Sequence, residues 1–133
     1  MKKELINQAE QEMERAGKAL RAAEILAKEE LYEDCVSRAY YAVLHAARAA
    51  LLTVPVFPES HSAVRRLFGL HLVKGGPIER KFAVILTAEQ EDREMGDYGI
   101  GLVFPYERAL TRLDEARMFL QRIEYFLDAD REG

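Results

Sequence analysis

Apolar residues return at every third or fourth position over long stretches of this chain, and that regularity excludes most folds. In residues 3–28, Leu5, Ala9, Met13, Ala16, Leu20, Ala23 and Ala27 share one side of a helix, with Glu, Lys and Gln between them. Residues 106–129 repeat the pattern through Leu113, Ala116, Leu120, Ile123 and Leu127. Further helices are predicted at 33–53, 60–73 and 77–95. Pro55 and Pro58 break the chain after the second, Ser60 can cap the third, and Gly75-Gly76 ends it. Pro77 suits the first turn of the fourth helix, and Gly96, Gly99, Gly101 and Pro105 mark a loop before the fifth. No stretch reads as a strand, a repeat or a linker. The expectation is an all-α fold with residues 1–133 as a single domain, an antiparallel up-down bundle of about five helices joined by short connections. The stripes of the first and last helices would serve as core or as contacts of a homodimer.

Composition permits such a bundle to stand without staples. The chain has 133 residues, 49% hydrophobic and 32% charged, enough to bury a core without a metal or a disulfide. Its one cysteine, Cys35, has no partner for an internal bridge. No signal peptide and no apolar run near the ~20 residues of a membrane span is visible, so the expected location is the cytoplasm, with no membrane partner. A net charge of −4 argues against a broad, nonspecific nucleic-acid binder. From Cys35 to Phe82, however, seven basic residues face two acidic ones, and all three histidines lie in that stretch. A basic centre within an acidic chain suits a localised anion site, or else reflects scattered solvated charge.

The second helix carries the chemistry. At ~100° per residue, Val36, Tyr40, Val43 and Ala47 form a core face, while Ala39, Ala42, Ala46 and Ala49 form a smooth face for close packing. Asp34, Arg38, Tyr41, His45 and Arg48 fall together on the third face, which is expected to line a cleft or a subunit contact. Arg38 and His45 stand two turns apart and project the same way, with Tyr41 between them. Asp34, one turn before Arg38, is placed for an i,i+4 ion pair with it. An arginine can neutralise a phosphate, and a histidine with an ordinary pKa near ~6.5 can move a proton at neutral pH. Two readings stand side by side: a site acting on a phosphodiester, or a structural hydrogen-bond cluster around a satisfied interior histidine.

Other chemistries find little support. The histidines match no zinc spacing, and none has a glutamate three positions before it, as a di-iron bundle would want. Gly75-Gly76 lacks the flanking pattern of a phosphate-binding loop. A lone cysteine on a helix is ordinarily packing. No metal and no cofactor is expected.

The segment Ser37–Ala47, S-R-A-Y-Y-A-V-L-H-A-A, resembles the signature of the HEPN-domain proteins, small helical bundles of bacteria and archaea. Further matches follow in similar order at His61-Ser62, at Lys74-Gly75-Gly76, and at Arg93 with Asp97-Tyr98. The resemblance implies a dimeric bundle. Many members carry an arginine, four to six residues and then a histidine, and are metal-independent endoribonucleases, often toxins silenced by a minimal nucleotidyltransferase. Others are noncatalytic nucleotide- or partner-binding modules. Arg38 and His45 match that motif, with Tyr41, Arg48, Asp34, Asp97 and Tyr98 as expected RNA- or nucleotide-binding residues. Arg66 and His71 match it literally too, but five helical positions place them ~140° apart. Asp97 and Tyr98 read either as the mouth of the cleft or as a tie between loop and bundle.

Overall fold

The computed structural model describes residues 2–98 and 104–132, with Asp97 and Tyr98 as backbone only. Five α-helices account for most of them: α1 (Lys3–Lys28), α2 (Tyr32–Leu51), α3 (His61–Phe68), α4 (Arg80–Tyr98) and α5 (Tyr106–Glu132). No strand occurs among the described residues.

Side-chain pairs fix how the helices run. Glu12 of α1 meets His45 of α2, while Arg15, Lys18 and Ala22 share a cleft with Arg38, so these two helices are antiparallel. Glu24 pairs with Arg117 and Glu10 with Arg131, which makes α1 and α5 antiparallel as well. Glu79 with Arg122, and Asp92 with Arg108 and Arg112, do the same for α4 and α5. The last of these clamps closes on a buried carboxylate. Asp92 accepts from Arg108 Nε at 3.0 Å and Arg112 Nε at 2.6 Å.

The central helix is α2, which packs on α1, α3, α4 and α5, most extensively on α1. Its expected core face and alanine face are both closed to solvent: Val36, Tyr40, Val43, Ala47, Ala39, Ala42, Ala46 and Ala49 are buried. Ala9, Ala16, Ala19 and Ala23 of α1 are buried too, so small side chains on both helices let the axes approach closely. The whole α5 stripe is buried as expected.

The structure corrects the predicted bounds where tertiary contacts decide them. Ser60 does cap α3, its side chain accepting from Ala63 N at 3.0 Å. The helix then widens into a π turn over Gly69–Val73, closed by Lys74 N donating to Gly69 O, five residues back. At Gly75 the backbone turns left-handed (φ 69°), and a Cβ at Gly76 would run into the Leu72 carbonyl. The fourth helix starts at Arg80 rather than Pro77. Ile78 is first plugged into the core, its N–H bonded to Leu72 O at 3.0 Å, which holds residues 77–79 out of helical geometry. At its other end α4 runs through Gly96 to Tyr98 instead of stopping at Met95. Gly96 is there for packing: a Cβ would lie 3.1 Å from the Phe104 ring. Nor do Asp34 and Arg38 form the expected ion pair. Both are exposed at the start of α2, where such a pair gains too little to hold two side chains.

Candidate functional site

The third face of α2 opens into a cleft of about 290 Å³ against α1. Arg38, Tyr41 and His45 line it from α2, and Arg15, Lys18, Ala19 and Ala22 line it from α1. The cause is local. Ala19 and Ala22 are too short to fill the space opposite Tyr41, while the long cationic side chains beside them reach its rim.

Within the cleft His45 is held rather than free. Its Nδ1 lies 2.8 Å from Glu12 Oε2, and Glu12 Oε1 accepts from Arg15 Nη1 at 3.0 Å. Both partners of the first contact are mostly shielded, His45 being 22% and Glu12 17% exposed. Burial alone would raise the Glu12 carboxyl. The hydrogen bond from His45 and the charges of His45, Arg15 and Arg48 outweigh it and leave the group below its usual range. An ionised Glu12 can only accept, so Nδ1 carries the hydrogen and Nε2 is the atom left to deal with a ligand. This is the carboxylate–imidazole pairing that fixes a histidine's tautomer and ring orientation.

Tyr41 is set from the opposite side. Arg93 Nη2 of α4 donates to the Tyr41 hydroxyl at 2.8 Å, and its guanidinium lies 5.4 Å from the Tyr41 ring centroid. With its oxygen engaged as acceptor, the Tyr41 O–H is left to donate. His61 stands edge-on to Tyr41, centroids 6.3 Å apart. Burial, then the nearby Arg48 and Arg93 charges, lower its pKa below the usual imidazole value, so it is neutral at neutral pH.

Not every expected residue joins this group. Arg48 lies one turn beyond His45 and lines a neighbouring hollow with Glu12 and Arg15. Asp34 borders a different hollow, formed with Leu31, Tyr32 and Phe104, and takes no part in the cleft. The side chains of Asp97 and Tyr98 lie outside the described residues. His71 is exposed on the π turn. Cys35 is wholly buried, and burial followed by the nearby Glu89 pushes its thiol up to about 11, which keeps it protonated. No cluster of three metal-ligating side chains occurs among the described residues, and none of the described helices is long and apolar enough to cross a membrane.

Sequence reasoning missed Glu12, Arg15 and Lys18. Their spacing does put them on one face of α1, but α1 carries charge on most of its solvent side. Only the register between α1 and α2 singles these three out.

Comparison with known proteins places the whole fold in a family. The HEPN domain profile matches residues 9–132. A Methanocaldococcus jannaschii protein named "Putative toxin MJ0605" is 40% identical over 112 residues, covering 84% of this chain and 83% of its own. The Gloeobacter violaceus "UPF0332 protein glr0978" is 42% identical over 87 residues, 65% of this chain and 69% of its own. A second M. jannaschii protein, "Putative toxin MJ0142", is 29% identical over 115 residues, 86% of this chain and 78% of its own. With the profile covering residues 9–132 and a relative 40% identical over most of both chains, this chain belongs to the HEPN family.

Proposed function

We propose that this chain is a toxin-like HEPN module that cleaves RNA at the Arg38–Tyr41–His45 cleft. The observation that carries the reading is the Glu12–His45 pair, which engages Nδ1 and leaves Nε2 free on an imidazole that lines a cleft with Arg15, Lys18 and Arg38. The cations bind the phosphodiester and offset the charge that builds on it in the transition state. His45 Nε2 takes the proton from the ribose 2′-hydroxyl. The 2′-oxygen bonds to phosphorus, the bond from phosphorus to the 5′-oxygen breaks, and that oxygen picks up a proton from solvent. The products are a 2′,3′-cyclic phosphate and a 5′-hydroxyl. Tyr41 donates its hydroxyl hydrogen to a nonbridging phosphate oxygen. The nucleophile is built into RNA, so the reaction needs no metal-activated water.

The names of the two M. jannaschii relatives support a toxin–antitoxin setting for this chain. In that setting the module is a cytoplasmic homodimer, silenced by a minimal nucleotidyltransferase that covers the cleft. The test is incubation of the purified protein with structured and unstructured RNA in EDTA. Cleavage that falls by roughly 10²–10⁴-fold in His45→Ala supports the reading. Cleavage undiminished in that variant removes it. Binding without any cleavage leaves a noncatalytic nucleotide- or partner-binding module.

A further inference from the structure

The groove between α1 and α2 does not end at His45. Beyond the Glu12–His45 contact it continues into a second hollow of about 350 Å³, and Glu12 and Arg15 belong to both the partition and this hollow. The chemistry changes across that partition. On one side stand Lys18, Arg38 and Tyr41. On the other, Leu51, Leu52 and Val56 form an apolar wall, the amides of Gln8 and Gln11 line the α1 side, and Arg48 borders the end nearest His45. Arg38 to Arg48 is about 15 Å along the helix axis, longer than a single phosphate needs.

Phe57 completes this second hollow and is the odd residue there. It is 80% exposed, the most exposed large apolar side chain among the described residues, and it sits at the tip of Val54-Pro55-Val56-Phe57-Pro58. Two prolines and a tight turn, Val56 N donating to Val54 O at 2.8 Å, stiffen that loop. The loop that carries the ring at the edge of the hollow therefore has little backbone freedom left to lose on binding.

We infer that this second hollow is a nucleobase subsite, holding a base next to the phosphate bound by Arg15, Lys18 and Arg38. The base stacks on Phe57, its edge meets the Gln8 and Gln11 amides, and Arg48 reaches the backbone between the two hollows. An aromatic face accepts any base, whereas amides that both donate and accept discriminate among base edges. The inference rests on the RNA reading above and adds to it the part of the substrate that the cleft selects.

The probe is a 2′-O-methyl oligoribonucleotide, which cannot be cleaved, beside an abasic oligomer of the same length and charge, each titrated by fluorescence anisotropy. The wild-type protein is expected to prefer the base-bearing oligomer by roughly five- to a hundredfold, the range of one base–aromatic stack. Phe57→Ala is expected to lose most of that preference and to bind the abasic oligomer unchanged. Since Phe57 is a surface residue, the variant's melting temperature is expected to match the wild type, and Phe57→Tyr to restore the preference. Equal wild-type binding of both oligomers, or a Phe57→Ala variant that keeps the preference, overturns the base subsite alone. Binding of neither oligomer by the wild type overturns the RNA reading with it.

Discussion

Replacing Glu12 by glutamine isolates what the carboxylate does for His45, because the amide keeps the side chain's size and can still accept from Nδ1–H through its carbonyl. Only the charge is lost. A hydrogen bond to a charged partner contributes about 1.5–3 kcal/mol and a neutral one about 0.5–1.5 kcal/mol, so the change removes on the order of 1–1.5 kcal/mol. Both partners are less than a quarter exposed, so solvent screens little of this. If the charge supports the imidazole in the transition state, cleavage of RNA by Glu12→Gln falls about tenfold, since 1.4 kcal/mol is a factor of ten. Glu12→Ala, which also frees the ring to rotate, falls further. Folding stability carries a separate signature. The carboxyl is depressed in the folded protein, so its stabilisation is present above the unfolded value of 4.5 and is lost as pH falls through the folded value. The melting temperature of Glu12→Gln is therefore expected about 4 °C below wild type at pH 7, with the gap narrowing as pH falls below 4.5. The assay pairs initial cleavage rates in EDTA with thermal melts across that range. A glutamine variant that cleaves at the wild-type rate while His45→Ala is inactive would refute the orienting role. A stability gap that does not narrow at any pH below 4.5 would refute the charged contact.

Two further outcomes concern the frame that holds the cleft. Asp92→Ala strips a carboxylate from the half-exposed Arg108 and from Arg112, which keeps Glu115, and chemical denaturation is expected to show a loss of about 1.5–3 kcal/mol, with a conserved all-α spectrum. Glu89 is wholly buried, and burial together with the nearby Glu115 raises its carboxyl well above the usual range. The folded protein thus binds that proton more tightly than the unfolded chain, and stability declines as pH rises from 4.5. Glu89→Gln, neutral throughout, is expected to melt higher than wild type at pH 8 and to lose that advantage towards pH 4.5. A constant offset would show that the carboxyl does not titrate there.

What the sequence disclosed depended on range. Periodicity within a helix is a local signal, and it placed five helices and separated the three faces of α2 correctly. The ends of α4 were not local: Pro77 reads as a start until Ile78 is seen filling the core, and Gly96 reads as a stop until Phe104 is seen lying against it. The site divides the same way. Arg38, Tyr41 and His45 are neighbours through helical spacing alone, whereas Glu12 meets His45 across 33 positions of chain. Which turn of α1 lies beside His45 is settled by a loop and by alanine packing, and neither writes itself into a pattern of charges. Asp34 shows the converse: ideal spacing for an ion pair counts for little where water competes for both groups.

The same helix that bears Arg38, Tyr41 and His45 is the one on which every other α-helix rests. Its two closed faces leave α2 little room to roll or slide, so the backbone beneath Arg38 and His45 keeps its place, and Glu12 holds the imidazole on it. Shifting α2 would disturb the core that the other helices share, so the floor of this cleft is more readily covered than moved.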